Sequence, residues 1–329
     1  MSSLSWVIGR GGLLGSAVER AIDSPRWHPD ELFPWEQSAE LRKSITNAVQ
    51  SFRIRCEETG VHSWNIYWCA GAGVVGTSAE QFAAETATLR FFLDELGTAI
   101  PQLPNSTGQI FLASSAGGVY AGSRGRPLTE NSIPLPISEY GRTKLIHEQI
   151  LHDWASKHPH ISTLVGRLSN LYGPGQHLEK PQGLISHMSR CLIFNVPVRI
   201  FVPLDTIRDY LFVDDAALGI VSAMQRLRRE KPEGGLQITR IFGSGGEITI
   251  AGLIGIFRQI AKRHMRLIAS QSSMRSQQPP GLQFRSVIWP EDTSLPRTEL
   301  LDGMNRVHRH QLALFQAGRL PAPWSSSLR

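Results

Sequence analysis

The stretch Trp6-Val7-Ile8-Gly9-Arg10-Gly11-Gly12-Leu13-Leu14-Gly15-Ser16-Ala17 decides how the rest of the chain is read. A short apolar run enters a glycine-rich turn, and a segment through Ala21 follows with apolar residues at helical spacing. Strand, glycine turn and helix in that order are the context in which a dinucleotide fingerprint has meaning, here with glycines at positions 9, 12 and 15. Gly9 permits the tight turn, Gly12 lets the backbone approach a pyrophosphate, and Gly15 lets the helix lie close on the sheet. The helix N-terminus, at Leu13 and Leu14, then faces the phosphates. A chain that begins this way is predicted to be an α/β protein built on an open parallel sheet.

Strands and helices alternate onward from this start. The second strand is expected at Asp30 to Trp35, where Pro34 points to an edge position. An acidic residue ending that strand would bind the adenine ribose of NAD, a part open to Glu36, whereas Arg10 would meet the 2′-phosphate of NADP. The choice between NAD and NADP stays open at this point. A helix over Ser38 to Cys56 places Leu41, Ile45, Val49 and Phe52 on one side. Trp64 to Cys69 reads as a buried strand whose small successors, Ala70-Gly71-Ala72-Gly73, let a flat cofactor lie over the strand ends. Ala79 to Leu96 follows as a helix with a stripe of Leu89, Phe92, Leu93 and Leu96. Then Gln109-Ile110-Phe111-Leu112-Ala113 forms a strand that runs into Ser114-Ser115-Ala116-Gly117-Gly118.

In open parallel sheets ligands gather at the carboxyl ends of strands, so Ala113, Ser114 and Ser115 face the same crevice as the glycine turn. Ser115 is placed to hydrogen-bond a substrate hydroxyl or carbonyl. In Ser138-Glu139-Tyr140-Gly141-Arg142-Thr143-Lys144 a Tyr and a Lys sit four apart at the start of a helix, so both project from one face. A cation beside a phenol favours the phenolate, which suits Tyr140 to acid-base work with Lys144 as its partner. Downstream come a strand at Ile161 to Arg167, a helix around Gly183 to Phe194 and the run Ile207 to Asp215. Asp214 and Asp215 are expected to cap a helix over Ala216 to Leu227 and not to hold a metal. The segment Ser270 to Gly281 reads as polar and flexible, and Pro321 to Arg329 as a frayed end.

Composition narrows the classes. With 329 residues and 41% hydrophobic content, the chain can bury a full core, and no apolar run reaches membrane-spanning length. The N-terminus reads as a strand, Leu4 to Ile8, and not as a signal peptide. Cys56, Cys69 and Cys191 are scattered without metal spacing and fit buried thiols in a reducing cytoplasm. The net charge of +6 comes from local clusters, Arg226, Arg228, Arg229 and Lys231 on one helix and Arg258, Lys262, Arg263 and Arg266 on another. They read as solvated helix faces, and nothing resembles a nucleic-acid stripe.

Taken together, these pieces resemble the extended short-chain dehydrogenase/reductase family, the NAD-dependent epimerase/dehydratases of nucleotide sugars. The resemblance rests on Gly9-x-x-Gly12-x-x-Gly15, the turn from Ser114 to Tyr120, Tyr140-x-x-x-Lys144, the run Arg167 to Gly175, and Arg208-Asp209-Tyr210 with Val213-Asp214-Asp215. It implies a dinucleotide-binding domain over 1–172 and 207–245 with a Rossmann-like, doubly wound parallel sheet, and a smaller mixed α/β substrate domain over 173–206 and 246–329. It also implies that Tyr140 transfers the proton and that Lys144 supports it while holding the nicotinamide ribose. Ser115 would orient the substrate, with Ser114 and Ala116 as the alternative positions in that turn. Cys69, Ala70 and Gly71 would line the cofactor, and Asn170 and Arg208 would meet a nucleotide diphosphate, for which the planar fork of an arginine is suited.

Two departures shape the functional expectation. The dehydratase branch carries an acidic pair before the Val-Tyr of the turn, and Ala116-Gly117-Gly118 offers none. The interval between the first helix and Trp64 lacks the family's usual third strand with its adenine-contacting Asp, somewhat like the dTDP-4-dehydrorhamnose reductases. The expected activity is epimerisation of a nucleotide-linked sugar through a transient ketone. The alternative is a 4-keto-sugar reductase consuming NADPH, and a third reading is a cofactor-binding regulator without turnover. Against the third stands the intact set Ser115, Tyr140 and Lys144. The family further suggests a cytoplasmic homodimer, joined by the Ala79 and Tyr140 helices as a four-helix bundle.

Overall fold

The computed structural model describes residues 3–74, 76–102, 107–178, 183–269, 281–294 and 297–323. The chain opens with β1 (Ser3–Ile8), α1 (Leu13–Ala21), β2 (Arg26–Trp27), α2 (Ser38–Thr59), β3 (Ser63–Trp68) and α3 (Ala79–Ala99). It continues through β4 (Thr107–Ser115), the short α4 (Ala116–Val119), α5 (Glu139–Ala155), β5 (Ile161–Leu168), β6 (Asn170–Tyr172) and α6 (Leu184–Ile193). The remainder holds β7 (Val198–Ile200), β8 (Ile207–Arg208), β9 (Tyr210–Phe212), α7 (Val213–Glu230), β10 (Gln237–Phe242), β11 (Ile248–Thr249), α8 (Ile250–Ala261), β12 (Leu267–Ala269) and α9 (Leu300–Gln316).

Six of these strands form one parallel sheet in the order β2-β1-β3-β4-β5-β10. The direction of winding reverses between β1 and β3, so the crevice that open α/β sheets use for ligands lies at the ends of those two strands. Alternation along the strands divides the core into two layers. Trp6, Ile8, Trp64, Ile66, Trp68, Ile110 and Leu112 face α2, α3 and α5. Val7, Tyr67, Phe111 and Leu164 face the opposite way, onto α1 and α7. A separate cluster joins β6, β7, β9, α6, α8 and α9 through Ile185, Met188, Phe212, Leu253, Phe257, Met304 and Val307. No helix among the described residues is long and apolar enough to cross a membrane.

Several expectations need correction. The second strand is Arg26–Trp27, paired with Ser5 and Trp6, and not Asp30 to Trp35. Pro34 removes a donor from the later segment, while Trp27 packs edge-on against Trp6 at 4.8 Å. Glu36 consequently lies in an exposed turn, well past the end of the strand. The residue that follows the strand is His28, whose Nε2 is 3.0 Å from Glu19 Oε1.

Asp214 and Asp215 do not cap α7, which begins one residue before them and has no side-chain cap. Asp214 pairs with Arg20, and Asp215 accepts from the N–H and hydroxyl of Thr298. Nor is the basic end of α7 simply solvated. Arg226 is tied to Glu230, Glu291 and Asp292, and Arg228 reaches under the sheet to Asn65 and Gln109. Cys56 and Cys191 are buried, but Cys69 is only partly so. The segment expected to be flexible lies outside the described residues except for Gly281, as do residues 324–329 of the expected frayed end.

Candidate active site

Backbone packing builds the floor of the crevice. Gly9 has φ +88°, and a methyl group there would lie 2.6 Å from the Ala70 nitrogen. A side chain on Gly15 would overlap the carbonyl oxygen of Gly9. The turn, the first helix and the end of β3 are therefore in backbone contact, which only glycine allows. Gly12 closes the turn by donating its N–H to Gly9 at 3.0 Å and stands as the N-cap of α1, with no side chain over the helix end. Arg10 is exposed and Leu13 half-buried, while the Leu14 side chain turns into the core with Ala17 and Val18. Beside them, Cys69 donates its N–H to Ile8, and burial pushes its thiol up, so the sulfur stays protonated.

Tyr140 is seated by two further glycines. A methyl group on Gly118 would sit 2.9 Å from the Tyr140 ring, and one on Gly141 would overlap the Gly118 carbonyl. The turn after β4 and the first turn of α5 thus press together. Ser138 caps α5 by accepting from the Gly141 N–H at 3.2 Å. One helical turn on, Lys144 Nζ lies 5.8 Å from the Tyr140 ring centre and 3.5 Å from the carbonyl oxygen of Ala113. The ammonium therefore sits between the phenol and the ends of β3 and β4.

Geometry separates the three candidates of the serine turn. Ala116 is fully buried. Ser114 is also buried and donates its hydroxyl to Glu148 Oε1, away from the crevice. Ser115 is the half-exposed one, its Oγ accepting from the Gly118 N–H at 3.1 Å. Its hydroxyl proton can still be offered to a ligand, because that bond uses only an acceptor site.

Behind this turn lies a buried polar network that the sequence did not single out. Arg167 on β5 donates from Nε and Nη2 to Glu148 on α5, the shortest contact being 2.6 Å, and from Nη1 to the Tyr120 hydroxyl. Burial works against the Arg167 charge, but the bond and charge of Glu148 outweigh it and hold the guanidinium above its usual value. Burial likewise raises the Tyr120 phenol, with Arg167 opposing. Arg167 had been legible only as the first residue of a motif, with nothing to mark its partner 19 residues earlier.

Asn170 and Arg208 come from the other side. Asn170 donates from Nδ2 to the Asp209 carbonyl at 2.8 Å, and Arg208 from Nη1 to the Ile207 carbonyl at 2.9 Å. Burial lowers the Arg208 guanidinium from its usual value, partly offset by Tyr210, yet an arginine remains charged at any working pH. The C-terminal segment closes the gap between this side and the serine turn. Leu282 donates its N–H to Ile207, and its side chain reaches to 4.0 Å from where a Gly117 methyl would stand, as does Ser115 Oγ. Glu130 fastens the same segment by accepting from Ser286 and Val287. Sequence reasoning had no signal for Leu282, because a lone Leu after a polar stretch looks like any other.

Cradles of this kind suit a dinucleotide. Glycines bring backbone to within contact at the phosphate end, and at the other end a methyl group on Gly71 would already lie 3.5 Å from Lys144 Nζ.

Comparison with known proteins gives the chain its family and its fold. The model of the NAD dependent epimerase/dehydratase family matches residues 60–238, more than half of the chain. A dTDP-4-dehydro-6-deoxyglucose reductase of Escherichia coli is 31% identical over 150 residues, covering 46% of this chain and 45% of that protein. A UDP-glucose 4-epimerase of Azospirillum brasilense is 28% identical over 207 residues, covering 59% and 58%. The chain thus spans about half the length of the curated relatives it matches. Among solved structures, the UDP-glucose 4-epimerase of Thermotoga maritima with UDP-glucose superposes with a TM-score of 0.72 at 20% identity, over 95% of this chain and 99% of that one. At that identity the likeness establishes the fold.

One pH effect follows from the wall of the site. His147, buried on α5 one turn beyond Lys144, is pushed down to about 3 by burial, with Lys144 and Arg90 adding to the effect. The unfolded chain then binds a proton that the folded one refuses, so stability falls as pH drops from about 6.5 towards 3, by up to about 1.4 kcal/mol per pH unit from this group. Urea unfolding between pH 7 and 4 should show a shallower loss for His147→Gln than for the wild type. Equal slopes would mean that the folded ring accepts the proton.

Proposed function

The chain belongs to the NAD dependent epimerase/dehydratase family, and from that premise we propose that it epimerises a nucleotide-linked sugar with the help of a nicotinamide cofactor. The observation that carries this reading is the seating of the Tyr140 ring on Gly118, beside Ser115, with Lys144 between the phenol and the strand ends. Three chemically distinct groups are thereby gathered at the carboxyl end of β4, next to the strand that borders the switch point of the sheet. In the proposed arrangement the residues of 1–172 and 207–245 hold the dinucleotide, and those of 173–206 and 246–329 enclose the sugar nucleotide.

A bound nicotinamide supplies the acceptor and donor of hydride. The protein's own part is proton transfer and positioning. Tyr140, as phenolate, takes the proton of a sugar hydroxyl and returns it once the carbon has been reduced on its other face. Lys144 stabilises the phenolate by charge and donates to the cofactor ribose. Ser115 donates its hydroxyl to the reacting oxygen and keeps it near Tyr140. Gly12 and the N–H groups at Leu13 and Leu14 receive the pyrophosphate, in a turn whose path Gly9 and Gly15 make possible, while Cys69, Ala70, Gly71, Ala113 and the Ser114 backbone line the flat part of the cofactor. Asn170 and Arg208 hold the diphosphate of the sugar nucleotide, the guanidinium by paired bonds.

A second reading, one-way reduction of a 4-keto sugar by NADPH, uses the same residues. Two observations favour it: no carboxylate ends β2, where His28 stands, and Arg10 is exposed beside the glycine turn. Mass spectrometry of the nucleotide released on denaturing the purified protein separates the two. Stoichiometric NAD supports the epimerase, and an empty protein that binds NADPH reversibly supports the reductase. Under either reading Tyr140→Phe should lower kcat by at least about 100-fold and leave cofactor affinity nearly unchanged. A variant that keeps a tenth of the activity would remove Tyr140 from proton transfer.

Two copies are proposed to pair through α3 and α5. Ala83, Ala84 and Ala87 on the one helix and Ile146 on the other are exposed, a face small and apolar enough for close helix packing. Light scattering should find a dimer in the wild type and a monomer in Ile146→Glu, and a wild-type monomer would exclude the pairing.

A further inference from the structure

Phe82, Glu85 and Thr86 lie three and four residues apart on α3 and so form one ridge. Opposite them α5 presents Tyr140, Lys144 and His147 at similar spacing. The two rows meet in register. The Phe82 ring is 6.3 Å from the Tyr140 ring, and Thr86 Oγ1 is 2.9 Å from His147 Nε2. Between these contacts, Glu85 and Lys144 converge on Gly71, where a methyl group would lie 3.8 Å from Glu85 Oε2 and 3.5 Å from Lys144 Nζ. The remaining carboxylate oxygen, Glu85 Oε1, accepts from the N–H groups of both Ala72 and Gly73, each at 2.7 Å.

We propose that Glu85 is a positioning residue of the active site, the clamp that holds the Gly71–Gly73 segment in place over the Lys144 ammonium. This rests on the reading of the strand-end crevice as a nicotinamide site. The segment needs a clamp because it is made of small residues with almost nothing to pack, so its order must come from hydrogen bonds. Gly71 has φ +147°, and Gly73 lies directly against the Phe82 ring, so the backbone is already committed to a path that few residues could follow. Two charge-assisted bonds to one oxygen complete the restraint. The second oxygen lies against Gly71, on which Lys144 Nζ also converges. A ligand lying on this segment therefore meets a surface whose shape is set from α3.

The test uses the whole protein in three forms, wild type, Glu85→Ala and Glu85→Gln, with two readouts. Calorimetric titration with NAD and with NADPH should show affinity lowered at least tenfold in Glu85→Ala and largely restored in Glu85→Gln, whose amide carbonyl still accepts both N–H groups. Amide hydrogen exchange at Ala72 and Gly73 should be at least tenfold faster in Glu85→Ala, again recovered by the glutamine. If the alanine variant does not fold, Glu85→Asp, one methylene too short to reach, carries the same expectation. Exchange rates that stay at the wild-type level would overturn the proposal, and so would a glutamine variant as impaired as the alanine one. A wild type that binds neither cofactor would instead sink the functional reading, while the exchange rates still decide the role of Glu85.

Discussion

The ion pair between Arg167 and Glu148 is the constraint on which the rest of the site depends. Both side chains are about nine-tenths buried, where an unpaired charge would be costly, so each holds the other in place. The pair links β5 to α5, and through Ser114 and Tyr120 it also grips both ends of the serine turn. Loss of either partner would leave a buried charge, and α5 would no longer have one position relative to the strand ends. The placement of Tyr140 and Lys144 is therefore decided by residues that never face the crevice.

Around that pair, glycines set the distances. Gly9, Gly15, Gly118 and Gly141 each stand where a Cβ would meet backbone or an aromatic ring at less than van der Waals distance. Their effect is to press the first turn against the end of β3, and the serine turn against the start of α5. Helix α3 adds a second layer of control by meeting α5 along Phe82, Glu85 and Thr86. The C-terminal segment adds a third by laying Leu282 beside the serine turn. Reacting groups and supporting groups thus come from very different places in the chain.

Several readings of the sequence were displaced for the same kind of reason. A second strand at Asp30 to Trp35 follows from apolar content, but Pro34 removes a donor from it, and Trp27 finds a better partner in Trp6. The two aspartates before α7 read as caps because they precede an apolar helix, yet remote partners, Arg20 and Thr298, take them. Arg228 reads as a surface charge and in fact reaches under the sheet to Asn65 and Gln109 on the interior strands β3 and β4. In each case the local pattern was correct about residue type and silent about the partner.

What the sequence by itself determined is whatever depends on one element at a time. The glycine spacing specified a strand-turn-helix start, the alternation of strand-like and helix-like segments specified a parallel sheet, and the four-residue interval put Tyr140 and Lys144 on one helix face. Tertiary structure alone decided that Ser115 and not Ser114 is open to the crevice, that Glu148 answers Arg167, that Glu85 reaches the Gly71–Gly73 segment, and that Leu282 returns to the serine turn. The physical reason is that backbone conformation and periodicity are local and leave their mark in adjacent residues. A hydrogen bond or a packed contact between distant segments leaves none, and exists only once the core has closed.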